Sequence, residues 1–308
     1  MINKLAQGTL SHTLAPWFCS TKLLPLRKPD NGVRPIGVPE LWFRLVARCL
    51  IRKIINKVRR HLGGLQLGVD VPCATESIIH RVASVIHGTP LRVLQLDVRN
   101  AFNTLSRSAI WKQVRAVAPE VEPWFLWAYG RPTPMFPDFT IEHMLWVTSD
   151  VIQGDPLGPL FFALGQQPVL DSLMALNPLY GVWYLDDGVL IASEDWLALH
   201  WESITSAYRQ VNLEINSKKC LLFGGPGIPQ AHHHIALPRR AVLEGFVLLR
   251  SPLGSASFIT KILQDHCTQL SRTFDLVLAS VVLGSMQDTP LVANTLPQTN
   301  YSFLSKGP

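Results

Sequence analysis

The first 60 residues almost lack acid. Asp30 and Glu40 stand there against 12 lysines and arginines, while the rest of the chain carries 16 basic and 20 acidic residues, for an overall formal charge of +6. A basic part ahead of a mildly acidic remainder suits a protein that holds a polyanion with one part and cations with another. A solvated basic surface is the plainer alternative. No Cys-x-x-Cys pair exists, and the five cysteines (Cys19, Cys49, Cys73, Cys220, Cys267) are scattered. That pattern indicates neither a zinc site nor a disulfide framework. The run His232-His233-His234 lies between Pro/Gly breakers and reads as solvated. There is no secretory signal, so a nuclear or cytoplasmic product is expected rather than a secreted one. The longest apolar run near the C-terminus, Leu276 to Met286, is too short to span a bilayer, and no membrane partner is expected. Internal repeats and low-complexity tracts are also absent. What remains is 308 residues, 47% of them hydrophobic, enough for one large domain or two modest ones.

The most informative stretch is Gly181-Val-Trp-Tyr-Leu-Asp-Asp-Gly-Val-Leu-Ile-Ala192. Apolar residues flank Asp186 and Asp187 on both sides, which predicts a hairpin whose turn carries Leu185, Asp186 and Asp187, with the returning strand after Gly188. Adjacent carboxylates at a hairpin tip repel each other unless a cation sits between them, and hard oxygen ligands suit Mg²⁺. Asp-Asp-Gly also occurs in turns that bind nothing, so the pair needs company. Leu91 to Val98 is a β-type run ending on Asp97, where a carboxylate emerging at a sheet edge can join the pair.

Elsewhere the pattern is coarser. Lys22 to Pro39 reads as strand, Pro-Asp-Asn-Gly turn and strand, setting Lys28 and Arg34 near each other as a possible phosphate clamp. Glu40 to Arg60 has the period of a basic amphipathic helix, and a second helix is expected from Ala74 past Ile86. A helix follows Ser106 or Ser108. The aromatic group Trp124, Phe125, Trp127 and Tyr129 reads as core. The Gly/Pro-rich loop from Val151 to Leu160 leads into an apolar helix, Phe161 to Leu173, interrupted by Pro168. Asp195 to Val211 is a further helix. Asn212 to Phe223 reads as strand, turn, strand, and Phe246 to Leu249 as a last β-type run. Beyond Ser271 the pattern decays.

Each of these signals is weak alone, but their order is not. Lys28 and Arg34-Pro-Ile36, Asp97-Val-Arg-Asn-Ala-Phe102, Gln153-Gly-Asp-Pro-Leu-Gly-Pro159, Tyr184-Leu-Asp-Asp187, Asn216-Ser-Lys-Lys219 and Glu244-Gly-Phe246 follow one another as in a reverse transcriptase. The resemblance covers roughly residues 20–256, and its spellings are most similar to those of non-LTR (LINE-type) retrotransposons. It implies an α+β right-hand polymerase: fingers (1–90), a palm with an antiparallel sheet backed by helices (91–256), and a missing or incomplete thumb (257–308).

The resemblance also implies roles. Asp97, Asp186 and Asp187 would hold two Mg²⁺ ions about 3.5–4 Å apart, with Mn²⁺ as a substitute. Lys28 and Arg34 would hold the triphosphate. Gln153 would contact the incoming nucleotide, and Gly154 would let template and nucleotide approach. Lys219 would protonate the leaving pyrophosphate. Phe102 would lie under the sugar and exclude a 2′-hydroxyl. The implied partners are an RNA template, a DNA primer and deoxynucleoside triphosphates. Four departures stand out: Asp150 and Arg250 replace expected glycines, and neither an endonuclease signature nor a Cys/His zinc knuckle is present. These suggest an excised or degenerate copy of a larger polyprotein. A catalytically silent remnant that keeps nucleic-acid binding is the alternative.

Overall fold

The computed structural model describes residues 2–11, 13–27, 32–86, 91–137, 142–148, 151–224, 241–242 and 244–282. Lys28, Asp150 and His232 to His234 lie outside them. The weakly patterned N-terminal stretch forms two short helices, α1 (Ile2–Ala6) and α2 (Ala15–Phe18). Then β1 (Thr21–Arg27) and β2 (Val33–Pro39) pair antiparallel, with Leu26 opposite Arg34. Next comes α3 (Leu41–Leu62), the expected basic amphipathic helix. Phe43, Val46, Leu50, Ile54, Val58 and Leu62 recur every three or four residues on its buried face, and Gly63 at φ 60° ends it. Arg48, Arg52, Lys53, Arg59 and Arg60 stay exposed on its other side. The second expected helix is α4 (Ala74–Ile86).

The middle of the chain alternates short strands and helices: β3 (Arg92–Leu96), α5 (Ala101–Thr104), α6 (Arg107–Val117), α7 (Glu122–Tyr129), β4 (Thr133–Phe136) and β5 (Leu145–Val147). Then α8 (Gly158–Ala175) runs straight through Pro168, whose position is exposed. It is followed by β6 (Tyr180–Tyr184), β7 (Asp187–Ala192), α9 (Glu194–Gln210) and β8 (Leu221–Phe223). The described chain closes with β9 (Ala241–Val242), the hairpin β10 (Gly245–Leu248) and β11 (Ser251–Gly254), and α10 (Ala256–Val282).

The central sheet has the order β6-β7-β3-β8-β9 and is antiparallel except for the β8–β9 pair. Both of its faces are covered. Because successive side chains on a strand point to opposite faces, the buried residues of these strands divide between two cores. Leu94, Leu96, Leu190 and Trp183 face the large core with α3, α6, α7, α8 and α9, whereas Val93, Val182, Val189, Ile191 and Phe223 face a smaller one with α4 and the β10–β11 hairpin. This explains why the strands read as unbroken apolar runs. The aromatic residues of α7 are buried as expected: Trp124 packs against Phe43 and Trp127, and Phe125 meets the edge of Phe161. A second sheet, β2-β1-β4-β5, flanks the first. Among the described residues no helix is long and apolar enough to cross a membrane.

Three local expectations need correction. Leu221–Phe223 is a strand, but Ile215 makes only an isolated bridge to Val98. The segment before the turn is spent bonding the end of β3, as Arg99 N donates to Glu214 O and Asn216 N donates to Asp97 O. Where the pattern decays beyond Ser271, the chain is still helical: α10 runs from Ala256 to Val282, with Leu270, Phe274 and Leu278 exposed along it. The β-type run at Phe246 is one arm of a tight hairpin. Leu248 pairs with Ser251, and the two turn residues, Leu249 and Arg250, both have positive φ (47° and 69°). Such turns favour glycine, since an L side chain is strained there. Arg250→Gly is therefore expected to stabilise the protein by about 0.5–1 kcal/mol, read as a higher Tm; an unchanged or lower Tm would show that contacts of the arginine outweigh the strain.

Candidate active site

Three neighbouring strand ends meet at one edge of the central sheet. Asp97 immediately follows β3, Asp187 begins β7, and Lys219 and Cys220 immediately precede β8. Antiparallel pairing brings these ends together: β3 and β7 are in register through Leu96 and Gly188, and the next step sets Asp97 opposite Asp187. Asp97 is fixed from the β8 side as well. Its N–H donates to Cys220 Sγ (3.3 Å), and its carbonyl accepts from Asn216 N (2.8 Å).

The hairpin differs from expectation in one respect. Tyr184 pairs with Asp187, so the turn holds only Leu185 and Asp186, and Asp187 is the first residue of the returning strand. Leu185 takes φ 55° to close so short a turn. Trp183 lies across Gly188, whose absent side chain would meet the indole nitrogen at 2.3 Å, and that nitrogen donates to Tyr208 Oη (2.8 Å).

A cleft of about 780 Å³ opens in front of this edge. Arg34, Asp97, Phe102, Gln153, Asp186 and Lys219 all line it, together with Asn100 and Asn216. Six residues from five separate stretches of sequence thus face one space. Arg34 stands on β2, one wall of the cleft, and Phe102 on α5, where its ring stacks on Phe162 at 4.5 Å. Two expected residues are placed differently. Asp187 lies beside the cleft and is exposed. Gly154 has φ 135°, and a Cβ there would lie 2.0 Å from the carbonyl oxygen of Gly37. The space a side chain would need is filled by the backbone of β2, which also donates Gly37 N–H to Gln153 O (2.9 Å). A backbone seam between β2 and the loop accounts for this glycine.

The acids repel one another. Burial, then the charge of Asp97, raises the Asp186 carboxyl above the ordinary range, and Arg34 opposes this. Desolvation of the Asp187 carboxyl, then the charges of Asp186 and Asp97, push it up to about 7, although much of the residue faces solvent. Carboxylates gathered at one edge, with Asp186 and Asp187 held above their usual range by burial and by neighbouring charge, are a donor set that favours a hard dication. Among the described residues no three His, Cys, Asp or Glu side chains form a ready-made metal cage. Mg²⁺ does not require one, since it is commonly held by one or two carboxylates with substrate phosphates and water.

Buried polar residues that the sequence reading passed over shape the loop beneath Gln153. Asp155 is buried; its Oδ1 accepts from Leu157 N (2.9 Å) at the start of α8 and its Oδ2 accepts from the Tyr129 hydroxyl. Burial pushes the Asp155 carboxyl up to about 6 against those two hydrogen bonds. Arg107, at the start of α6, donates to the Tyr129 and Arg131 carbonyls (3.0 and 2.9 Å), tying α6 to the end of α7. The signal for Asp155 was present as an Asp just before a helix, a position that caps free N–H groups, but its residue type alone could not reveal the buried tyrosine.

Comparison with known proteins agrees with this arrangement. The model of the family "Reverse transcriptase (RNA-dependent DNA polymerase)" matches residues 26–236. The chain is 28% identical over 205 residues to the retrotransposable element SLACS 132 kDa protein of Trypanosoma brucei gambiense, covering 65% of this chain but only 17% of that protein. Its fold is similar to the telomerase of Candida albicans solved with a fragment of telomeric RNA: TM-score 0.57 and 12% identity over 78% of this chain and 44% of that one. Apo telomerase of Candida tropicalis, truncated of its C-terminal domain, gives a TM-score of 0.51 and 14% identity over 79% of this chain and 55% of that one. These likenesses establish a mixed, largely antiparallel fingers–palm fold, and with the family match spanning most of the chain, the protein belongs to the reverse transcriptases.

Proposed function

We propose that this chain is the RNA-directed DNA polymerase domain of a non-LTR retrotransposon, adding deoxynucleotides to a DNA primer on an RNA template. The observation that carries the reading is the convergence of Arg34, Asp97, Phe102, Gln153, Asp186 and Lys219 on one cleft. Phosphoryl transfer asks mainly for positioning and charge neutralisation. Asp97, Asp186 and Asp187 would hold Mg²⁺, or Mn²⁺ in its place, and the bound ions supply neutralisation of the triphosphate and a lowered pKa of the primer hydroxyl. Arg34, which lines the same cleft, takes the triphosphate together with Lys28. Gln153 contacts the incoming nucleotide, and Lys219 gives a proton to the departing pyrophosphate. The exposed basic side of α3 faces a polyanion such as the template–primer duplex.

The test is extension of a DNA primer annealed to RNA, with Mg²⁺ and deoxynucleotides. Product above background supports the reading. Tight duplex binding without product, in either Mg²⁺ or Mn²⁺, would overturn it in favour of a silent module that only binds nucleic acid.

Phe102 sets the choice of sugar in this scheme. Its ring is held by stacking on Phe162, so it cannot swing clear of a 2′-hydroxyl. Phe102→Val is expected to raise the ratio of ribonucleotide to deoxynucleotide incorporation by roughly 10- to 100-fold, corresponding to removal of about 1–3 kcal/mol of steric discrimination. Unchanged discrimination would assign the ring to the core alone.

A further inference from the structure

We propose that Gln66 is a positioning residue for Asp186, acting through the backbone of Leu185. The inference deepens the polymerase reading of the same cleft and rests on it for its kinetic test. Gln66 lies in the short connection between α3 and α4, 119 residues before Leu185, and is 1% exposed. Its carboxamide grips the hairpin turn at both backbone groups: Oε1 accepts from Leu185 N (2.7 Å), and Nε2 donates to Leu185 O (3.0 Å). The same oxygen accepts from Gly68 N (3.0 Å), and the same nitrogen donates to Oε1 of Gln166 on α8 (2.9 Å). Two bonds donated and two accepted exhaust the amide. No other side chain of similar reach carries the donor and acceptor of a carboxamide side by side on one plane.

The grip is placed where the backbone needs it. Leu185 holds φ 55°, a conformation that L residues keep only when the surroundings impose it. Asp186 is the other residue of that two-residue turn, so any relaxation at Leu185 swings the Asp186 carboxylate directly. The connection itself is fastened to the free edge of the central sheet: Leu67 N donates to Trp183 O (2.8 Å), and Trp183 N donates to Leu65 O (2.7 Å). Gly68 is part of the same fit, since a Cβ there would lie 2.6 Å from both the Leu185 nitrogen and its Cγ. Gln66 thus bridges three parts of the molecule: the edge of the sheet, helix α8 behind it and the turn that presents Asp186.

Two readouts test this. The first is amide exchange, which needs no activity. In folded Gln66→Leu, exchange in the peptide containing residues 184–187 is expected to speed up while β3 and β8 keep wild-type protection; unchanged exchange in that peptide overturns the proposal. The second is primer extension. Gln66→Leu is expected to lower kcat by roughly 10- to 100-fold, with KM for the nucleotide changed by less than about twofold. Leu185→Gly, which removes the strain, is expected to restore most of that loss when added to Gln66→Leu. Loss of kcat that Leu185→Gly does not recover, or a loss matched by a rise in KM, overturns the positioning role. If the wild-type chain makes no product, the polymerase reading fails, while the exchange experiment still decides whether Gln66 holds the turn. Should Gln66→Leu not fold, Gln66→Asn, one methylene too short to reach both groups, serves in both measurements.

Discussion

Asp186→Asn is expected to reduce primer extension by about a thousandfold, on the order of 4 kcal/mol of transition-state stabilisation. The substitution keeps size and most hydrogen bonding, so what it removes is charge. Asp186 is well placed to reveal that charge: like Asp97 it lines the cleft, whereas Asp187 lies to one side. The mutant should also be slightly more stable than the wild type, because burial and Asp97 already penalise an ionised carboxyl at this position. A higher Tm together with lost activity would separate the chemical role from a folding defect. Activity within about tenfold of wild type would remove Asp186 from the reaction, since one lost catalytic dipole or charge normally costs more than that.

The largest expected effect on stability lies away from the cleft. Arg92 begins β3 and Glu194 begins α9; their side chains are 8% and 13% exposed, and Glu194 Oε2 accepts from both Arg92 Nη2 (2.9 Å) and Nε (3.1 Å). The guanidinium occupies the room left by Gly224, where a Cβ would lie 1.8 Å from Nη1. Glu194→Ala leaves a buried cation without its carboxylate, at a cost of about 3–5 kcal/mol. That corresponds to a fall in Tm on the order of 10 °C for a chain of this size. Replacing both partners, as in Arg92→Met with Glu194→Leu, is expected to cost much less than Glu194→Ala, because desolvation of the charges disappears along with their attraction. If the double variant is as unstable as the single one, packing rather than charge holds these elements together.

How much of this was visible in the sequence depends on the kind of interaction. The strand ends that carry Asp97 and Asp187 were legible because apolar runs stop abruptly at a charge, a local pattern. The β1–β2 hairpin was legible from its Pro-Asp-Asn-Gly turn signal, and α3 from its apolar period. Cleft residues far apart in the chain, such as Arg34 and Lys219, could be gathered only by resemblance, since nothing local in either stretch points to the other. The turn at Leu185 was misjudged by one residue because its length is set by the Tyr184–Asp187 pairing, not by the Asp-Gly signal beside it. Gln66 and Asp155 were not singled out, and Tyr129 was read as core without its hydroxyl's partner. Each is a buried polar residue whose partner lies at least 26 positions away, so its meaning resides in a hydrogen bond the sequence does not display. α10 was not read as a helix, because a helix with exposed leucines along it has no clean period to read.

The central strand β3 is sealed by apolar residues on both faces and paired on both edges. Its amides therefore belong to the part of the molecule that opens only when the whole domain unfolds. In a hydrogen-exchange time course, Val93 to Leu96 should be the last to label, long after β1, which is exposed along most of its length, and the exposed start of β2 at Val33 and Arg34. Asp97 is thus carried on the slowest-opening segment, while Arg34 is carried on one that opens early. Under mild destabilisation the two walls of the cleft should separate in time: the acidic edge keeps its shape after the wall that carries Arg34 has loosened.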